Sequence, residues 1–362
     1  MDRTSAKRIL YRAAAFALTS IISLSFMACG ARPVPAAKET RSFTDSAGRT
    51  VGLPDRIDRV AVSGTVAQIA VFALCPDKLV GLAGAWDDAA KPYIGEKYRA
   101  LPVLGQLYGG KGELNLETLL ASGVQAVIDI GEPKQGIAEE LDALQEQTGI
   151  PFVHITLCLE AMGDMYRKLG ELMDMPAEAE TLAEYCERTY ARAKEIASSA
   201  DKTRLLCIAG NEGIHVLAKA SCHAEVIDMM ADNIAVVDVP SANGTGNETD
   251  IEQLMKWDPD VILYAPDSTY VSAGDDPLMR KVPAIKSGRY YEVPGRPYGW
   301  LGSPPSVQRL LGMLWLAKLL YPELADYDLC EEVKTYFRLF FHCELTEEQY
   351  GALVVNSTRK AG

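Results

Sequence analysis

Seven residues on loops rich in glycine or proline carry side chains suited to gripping a small molecule: Trp86, Tyr108, Lys111, Lys134, Arg296, Tyr298 and Trp300. The rings offer flat faces that stack on a planar macrocycle or cover a chelate, and the cations can meet a carboxylate or an oxyanion. Arg296 is the strongest of them, because Gly295-Arg296-Pro297-Tyr298-Gly299 holds its charge on a stiff, exposed loop. Tyr298 and Trp300 have a competing use, which is to pack that proline-rich turn. His154, His215, His223 and His342 stand alone, with no His-x-His or His-Glu-x-x-His spacing, so a resident metal centre is not expected. His154, inside an apolar strand, reads as a core residue, and His223, near a helix start, as an outlying ligand contact. Two near-motifs fail on chemistry. Gly105 to Lys111 almost spells a phosphate loop, but Gly112 stands where the magnesium-binding Ser or Thr belongs. Gly302-Ser303-Pro304 puts proline where a nucleophile elbow must turn into a helix.

The elements that must hold these loops follow from the apolar pattern. Short runs at Ile57 to Val62, Leu79 to Leu82, Ala126 to Ile130 and Phe152 to Ile155 read as strands. Helical periodicity lies between them at Val66 to Leu74, Leu116 to Ser122 and Ile137 to Gln147. Residues 159–200 then stay helical with a turn signal only at Met175-Pro176, after which strands resume at Arg204 to Ala209, Ile214 to Leu217, Val261 to Leu263 and Tyr290 to Val293. Such alternation predicts an α/β fold of parallel sheets with helices on both faces. The chain also echoes itself: Asn115-Leu116-Glu117 before Ala126-Val127-Ile128 matches Asp250-Ile251-Glu252 before Val261-Ile262-Leu263. Each copy has a capping residue, a first-turn glutamate and a short helix leading into a buried strand. Taken singly, Glu117 and Glu252 complement the positive end of a helix; together they mark two lobes of one plan.

With 362 residues, 48% of them hydrophobic and 23% charged, the chain is long enough for two globular domains. Its net charge of -13 and the lack of clustered Lys and Arg exclude a nucleic-acid partner. Arg3, Lys7, Arg8 and Arg12 precede the apolar run Ala13 to Ala28, which suits an export signal. Ala28-Cys29-Gly30 resembles a lipoprotein box with Cys29 as the lipidated residue, although Phe26 stands where leucine is usual. An ordinary signal peptide or an uncleaved anchor are the alternatives. Seven cysteines follow Cys29, an odd number that leaves no specific disulfide to name.

Taken in order, these pieces resemble the substrate-binding proteins of bacterial ATP-driven importers for iron-siderophore, haem and vitamin B12. The resemblance covers about Phe43 to Glu344. It is carried by Asp45-Ser46-Ala47-Gly48-Arg49, by Asn115-Leu116-Glu117 with Asp250-Ile251-Glu252-Gln253-Leu254, by Trp257-Asp258-Pro259-Asp260, and by Arg296-Pro297-Tyr298-Gly299-Trp300 running into Pro304-Pro305-Ser306. It implies two Rossmann-like lobes joined by one long rigid helix, with a ligand cleft between them. Residues 1–28 would be the signal peptide, 29–42 the lipidated tether, 43–158 the first lobe, 159–176 the inter-lobe helix, 177–345 the second lobe and 346–362 a tail. Glu117 and Glu252 map onto the family's paired docking carboxylates, which meet a two-fold permease served by cytoplasmic ATPase subunits. The ligand loops include Gly64-Thr65, Gly131 to Lys134, Ser241 to Gly246 and Arg296 to Trp300. A monomer outside the cytoplasm is expected, held to the membrane through the Cys29 lipid. It needs no cofactor and carries a pre-chelated metal such as an iron-siderophore or haem, with cobalamin, then molybdate or tungstate, as alternatives. The rival class is an anchored hydrolase or chelatase using His154 or His215 with Glu132 or Glu212.

Overall fold

The structure, a computed structural model, describes residues 40–107, 113–266 and 268–359. The leader, Cys29, and the two expected ligand residues Tyr108 and Lys111 lie outside that description. From Arg41 onward the chain forms one compact unit. A ribbon of β1 (Thr40–Thr44) and β2 (Thr50–Pro54) precedes β3 (Val60–Val62) and helix α1 (Thr65–Leu74). Then come α2 (Leu116–Ala121), β4 (Ala126–Gly131), α3 (Ile137–Thr148) and β5 (Phe152–Thr156). β3, β4 and β5 pair in parallel, with Val60 beside Ala126 and Val127 beside Phe152. Leu79 and Leu82, expected in a strand, make only isolated bridges. Ile128, Ile130, Val153 and Ile155 face one layer of helices, while Val127 and Phe152 face Leu119, Ile137 and Leu141 on the other. Burial on both faces explains why these strands are apolar throughout.

The crossover to the second lobe uses two helices, α4 (Met162–Met173) and α5 (Pro176–Ser199). The single spanning helix expected over 159–176 is therefore the shorter of a pair. Asp174 turns left-handed at φ 55, and Pro176 opens a new helix at a position where a missing N–H costs nothing. α4 crosses α5 so closely that a Cβ on Gly170 would stand 2.3 Å from the Ala179 Cβ. α5 is 24 residues long, or about 36 Å, and reaches both lobes, packing on α1 as well as on two second-lobe helices.

The second lobe comprises β6 (Arg204–Ala209), β7 (His215–Val216), α6 (Glu225–Met230), β8 (Asp232–Asn233), β9 (Asn247–Glu248), α7 (Ile251–Trp257), β10 (Val261–Tyr264) and β11 (Tyr290–Glu292). After these come α8 (Arg309–Leu320), α9 (Leu329–Tyr336) and α10 (Glu347–Leu353). β11, β10, β6 and β8 run parallel, with β7 and β9 antiparallel at one edge. Successive β6 residues alternate faces: Leu206 and Ile208 join Val282 and Ile285, and Leu205 and Cys207 join the α8 side. α9 runs into a π-turn at Phe337–Phe341, whose aromatics lie against Phe72 of α1 and Tyr93 in the first lobe. One apolar core thus continues from the first lobe into the second. Residues 346–357, expected as a tail, are docked: Thr346 and Gln349 form a capping box, and the Trp315 indole donates to the Ser357 carbonyl at 2.8 Å.

Candidate functional site

β3 ends at Val62, and the chain turns at once into α1. Gly64 occupies the N-cap in extended conformation and has no side chain to cap the helix, so the first-turn amides are left to solvent or ligand. Ser63 is fixed beside them. Its N–H donates to the Ile128 carbonyl at 3.0 Å, and its carbonyl accepts from Leu107 N at 2.7 Å. Its hydroxyl donates to Asp129, which also lies 2.7 Å from His154 Nδ1. Asp129 sits in a buried strand because that imidazole and that hydroxyl satisfy its carboxylate.

Across the cleft, second-lobe loops supply Cys222, His223, Ala242 and Pro305. The His223 Nδ1 lies 2.7 Å from the Gly302 carbonyl, and the Ser221 hydroxyl donates to the Ser241 carbonyl at 2.8 Å. With Ser63 to Val66, Asp129 to Glu132 and Lys134, these residues enclose a cavity of about 330 Å³. A wider recess of about 520 Å³ shares Glu132 and Cys222 with it and adds Cys158, Glu225 and Asp228. Burial, then the Glu132 and Glu225 carboxylates, push the Cys158 and Cys222 thiols up. Beneath His223, the buried Arg309 guanidinium pairs with Glu225, and its Nε donates to the Ser306 carbonyl at 3.2 Å. Burial pushes Arg309 down, against Glu225 and Glu132, which hold it up.

Direct contacts clasp the lobes beside the cleft. The Ser306 hydroxyl donates to the Val66 carbonyl at 3.0 Å. Gln68, fully buried, accepts from Ala83 N at 2.8 Å and reaches the Tyr298 hydroxyl at 3.4 Å. Trp86 packs on Tyr298 with ring centroids 5.7 Å apart. The Tyr298 hydroxyl is pushed well up by burial and lowered a little by Gln68.

The expected site residues therefore separate. Lys134 lines the cleft and is exposed. Trp86 and Tyr298 belong to the clasp, and Trp300 has no exposed surface at all, with its indole donating to the Arg296 carbonyl at 3.2 Å. Trp300 therefore packs the turn and presents no face to a ligand. Arg296 lines a different cavity of about 180 Å³, with Tyr93, Glu292 and Asn356. Glu117 and Glu252 are exposed, each second in a short helix, and Asn115 and Asp250 cap those helices through the Thr118 and Gln253 amides at 2.9 and 2.7 Å. The echoed caps hold the two carboxylates in equivalent places on α2 and α7. Ser63, Asp129 and Cys222 were not singled out by the sequence. Asp129 carried a signal, a carboxylate inside the apolar run Ala126 to Ile130. Among the described residues, no group of three His, Cys, Asp or Glu side chains is placed to hold a metal ion. None of the described helices is long and apolar enough to cross a membrane.

A model of the family described as periplasmic binding protein matches residues 96–297. The chain is 25% identical over 333 residues to the molybdate-binding protein MolA of Haemophilus influenzae, covering 83% of this chain and 91% of that one. Its fold is similar to an ABC transporter solute binding protein from Sulfurospirillum deleyianum, with TM-score 0.79, 23% identity, and 86% and 98% of the two chains covered. It is also similar to a periplasmic solute binding protein from Veillonella parvula, with TM-score 0.73, 24% identity, and 88% and 97% covered.

Proposed function

We propose, for a chain that belongs to the periplasmic binding protein family and is the extracytoplasmic solute-binding component of an ABC transporter, that its cargo is a compact oxyanion of the molybdate and tungstate class. One observation carries this reading: the uncapped start of α1 faces His223 across a cavity of about 330 Å³ that Lys134 also lines. Helix amides and a cation together make a site for a small anion. Large flat ligands need broad flat walls, and the described lining of this cavity contains no Phe, Tyr or Trp ring. The molybdate named for the Haemophilus influenzae relative agrees with the same chemistry.

In this reading Glu117 and Glu252 present the loaded lobes to arginines of a two-fold permease, and a lipid on Cys29 keeps a monomer at the membrane surface. The cleft closes by a small movement, since the clasp and the shared core resist a wide opening. Calorimetric titration of the purified mature chain with molybdate, tungstate, sulfate, haem, cobalamin and a ferric catecholate tests the ligand. Saturable binding of molybdate and tungstate is expected. Tight binding of any of the large chelates, with no response to the oxyanions, would refute the assignment.

A further inference from the structure

Resting on the oxyanion reading, we infer that His223 is a proton-coupled latch, admitting the anion only when its imidazole gains a second proton. A carbonyl oxygen can only accept, so the 2.7 Å contact with Gly302 requires that Nδ1 carry a hydrogen. The two ring nitrogens point nearly opposite ways. With Nδ1 committed to Gly302, the Nε2 side of the ring is the one left for the cleft that His223 lines. Gly244 lies against the Cε1 edge of the ring, where a Cβ would stand 3.3 Å from Cε1 and 3.7 Å from each nitrogen, so residue 244 brings no side chain over the ring. Among the described residues none is hydrogen-bonded to Nε2.

A neutral imidazole fixed in this tautomer turns a lone pair toward the anion, which repels it. The imidazolium turns a charged N–H toward the same place, which attracts it. The anion therefore binds the protonated form selectively, and by linkage it draws a proton in as it binds. Other titratable or charged groups face the same space: Asp129, Glu132 and Lys134 from the first lobe, Cys222 beside the histidine, and Glu225 paired with Arg309 beneath it. Asp129 is already committed to Ser63 and His154. The loops at 241–246 and 302–305 contribute no ionisable side chain.

Calorimetric titration of the full mature chain with molybdate, a dianion across the range, from about pH 6 to about pH 8.5 reads the effect. Affinity should weaken by up to about tenfold per pH unit as the imidazole loses its proton, with uptake of up to about one proton per anion bound. Buffers of different ionisation enthalpy measure that uptake directly. His223→Gln, which keeps a donor without the titration, should flatten the profile. The 15N signals of the His223 ring in the wild-type chain should move to the doubly protonated position when molybdate is added, which requires no variant. Molybdate bound with a level pH profile and no proton uptake overturns the latch and leaves the oxyanion reading standing. A slope that persists in a folded His223→Gln chain moves the proton to Cys222 or the Asp129–His154 pair and overturns it equally. Absence of molybdate binding at every pH overturns both.

Discussion

Glu225→Ala should destabilise the fold by about 2 kcal/mol more than Arg309→Met, although both substitutions cut the same ion pair. The difference comes from where each charge is left. The Arg309 side chain is 1% exposed and the Glu225 side chain 36%. Removing the acid strands a guanidinium that cannot shed its proton in the interior, with only the Ser306 carbonyl on its Nε and the more distant Glu132 in support. Breaking a buried pair in that sense costs about 3 to 5 kcal/mol. Removing the guanidinium instead leaves a carboxylate that water can reach, and methionine fills most of the volume. The loss is then one partly exposed pair and one hydrogen bond, about 1 to 2 kcal/mol. The double variant should be about as stable as Arg309→Met alone. Urea melts of the three variants, followed by tryptophan fluorescence, give the comparison. If Glu225→Ala proves no worse than Arg309→Met, the assignment of Arg309 as the trapped charge is wrong. A functional counterpart follows, because Arg309 also lies against Gly302: both variants should weaken ligand binding through a displaced His223.

Reversing both Glu117 and Glu252 to lysine should abolish uptake in cells and leave the affinity of the purified chain unchanged, whereas either alone should only slow uptake; normal transport by the double variant excludes these carboxylates from docking. Asn115→Ala and Asp250→Ala should each cost about 1 kcal/mol in thermal melts through loss of the helix cap, and a cost near zero would mean the cap contributes nothing. Burial pushes the Cys75 and Cys207 thiols up to about 12. Above about pH 9 the unfolded chain releases those protons and the folded chain does not, so stability falls as pH rises from about 9 to about 12, by about 1.4 kcal/mol per pH unit for each thiol. Cys75→Ala with Cys207→Ala should make that decline shallower, the remainder belonging to Cys186 and the buried tyrosines that burial also pushes up, and an unchanged slope would assign all of it to those groups. At neutral pH an alkylating reagent should modify Cys158, Cys222, Cys330 and Cys343 and spare Cys75, Cys186 and Cys207, as peptide mass spectrometry would show.

The lobes, and the equivalent settings of Glu117 and Glu252, were legible because they rest on local chemistry. A cap, a first-turn acid and a buried run repeat in one order, and each of those signals acts within about one helical turn. The break at Asp174 was legible in the Met175-Pro176 turn signal, but not which helix spans the lobes, since residues 159–200 are helical in pattern on both sides of it. Its left-handed turn is set by how tightly α4 meets α5 at Gly170 and Ala179. Among the loops expected at the ligand, Gly64-Thr65 and Gly131 to Lys134 line the first-lobe wall of the cleft, and 241–246 adds Ala242 opposite. Their position follows from the rule that open sheets offer their crevice at the carboxyl ends of strands. Side-chain direction on the loop at 296–300 did not follow. Trp300 turns inward because Gly312 of α8 leaves room for its backbone, where a Cβ would lie 2.3 Å from the Trp300 carbonyl oxygen. That fit depends on a residue twelve positions away. Ser63 and His223 were faint for a similar reason, since what distinguishes them is the partner each meets from a distant segment.

The continuous core running from Phe72 through Phe341 and Tyr93 to Phe337 has a consequence for how the molecule is made and broken. Neither half owns a complete interior, so a polypeptide halted after the first half would expose the rings that the final fifty residues are meant to cover. Heating should melt both halves in a single calorimetric peak, and genes encoding the halves separately should yield insoluble products.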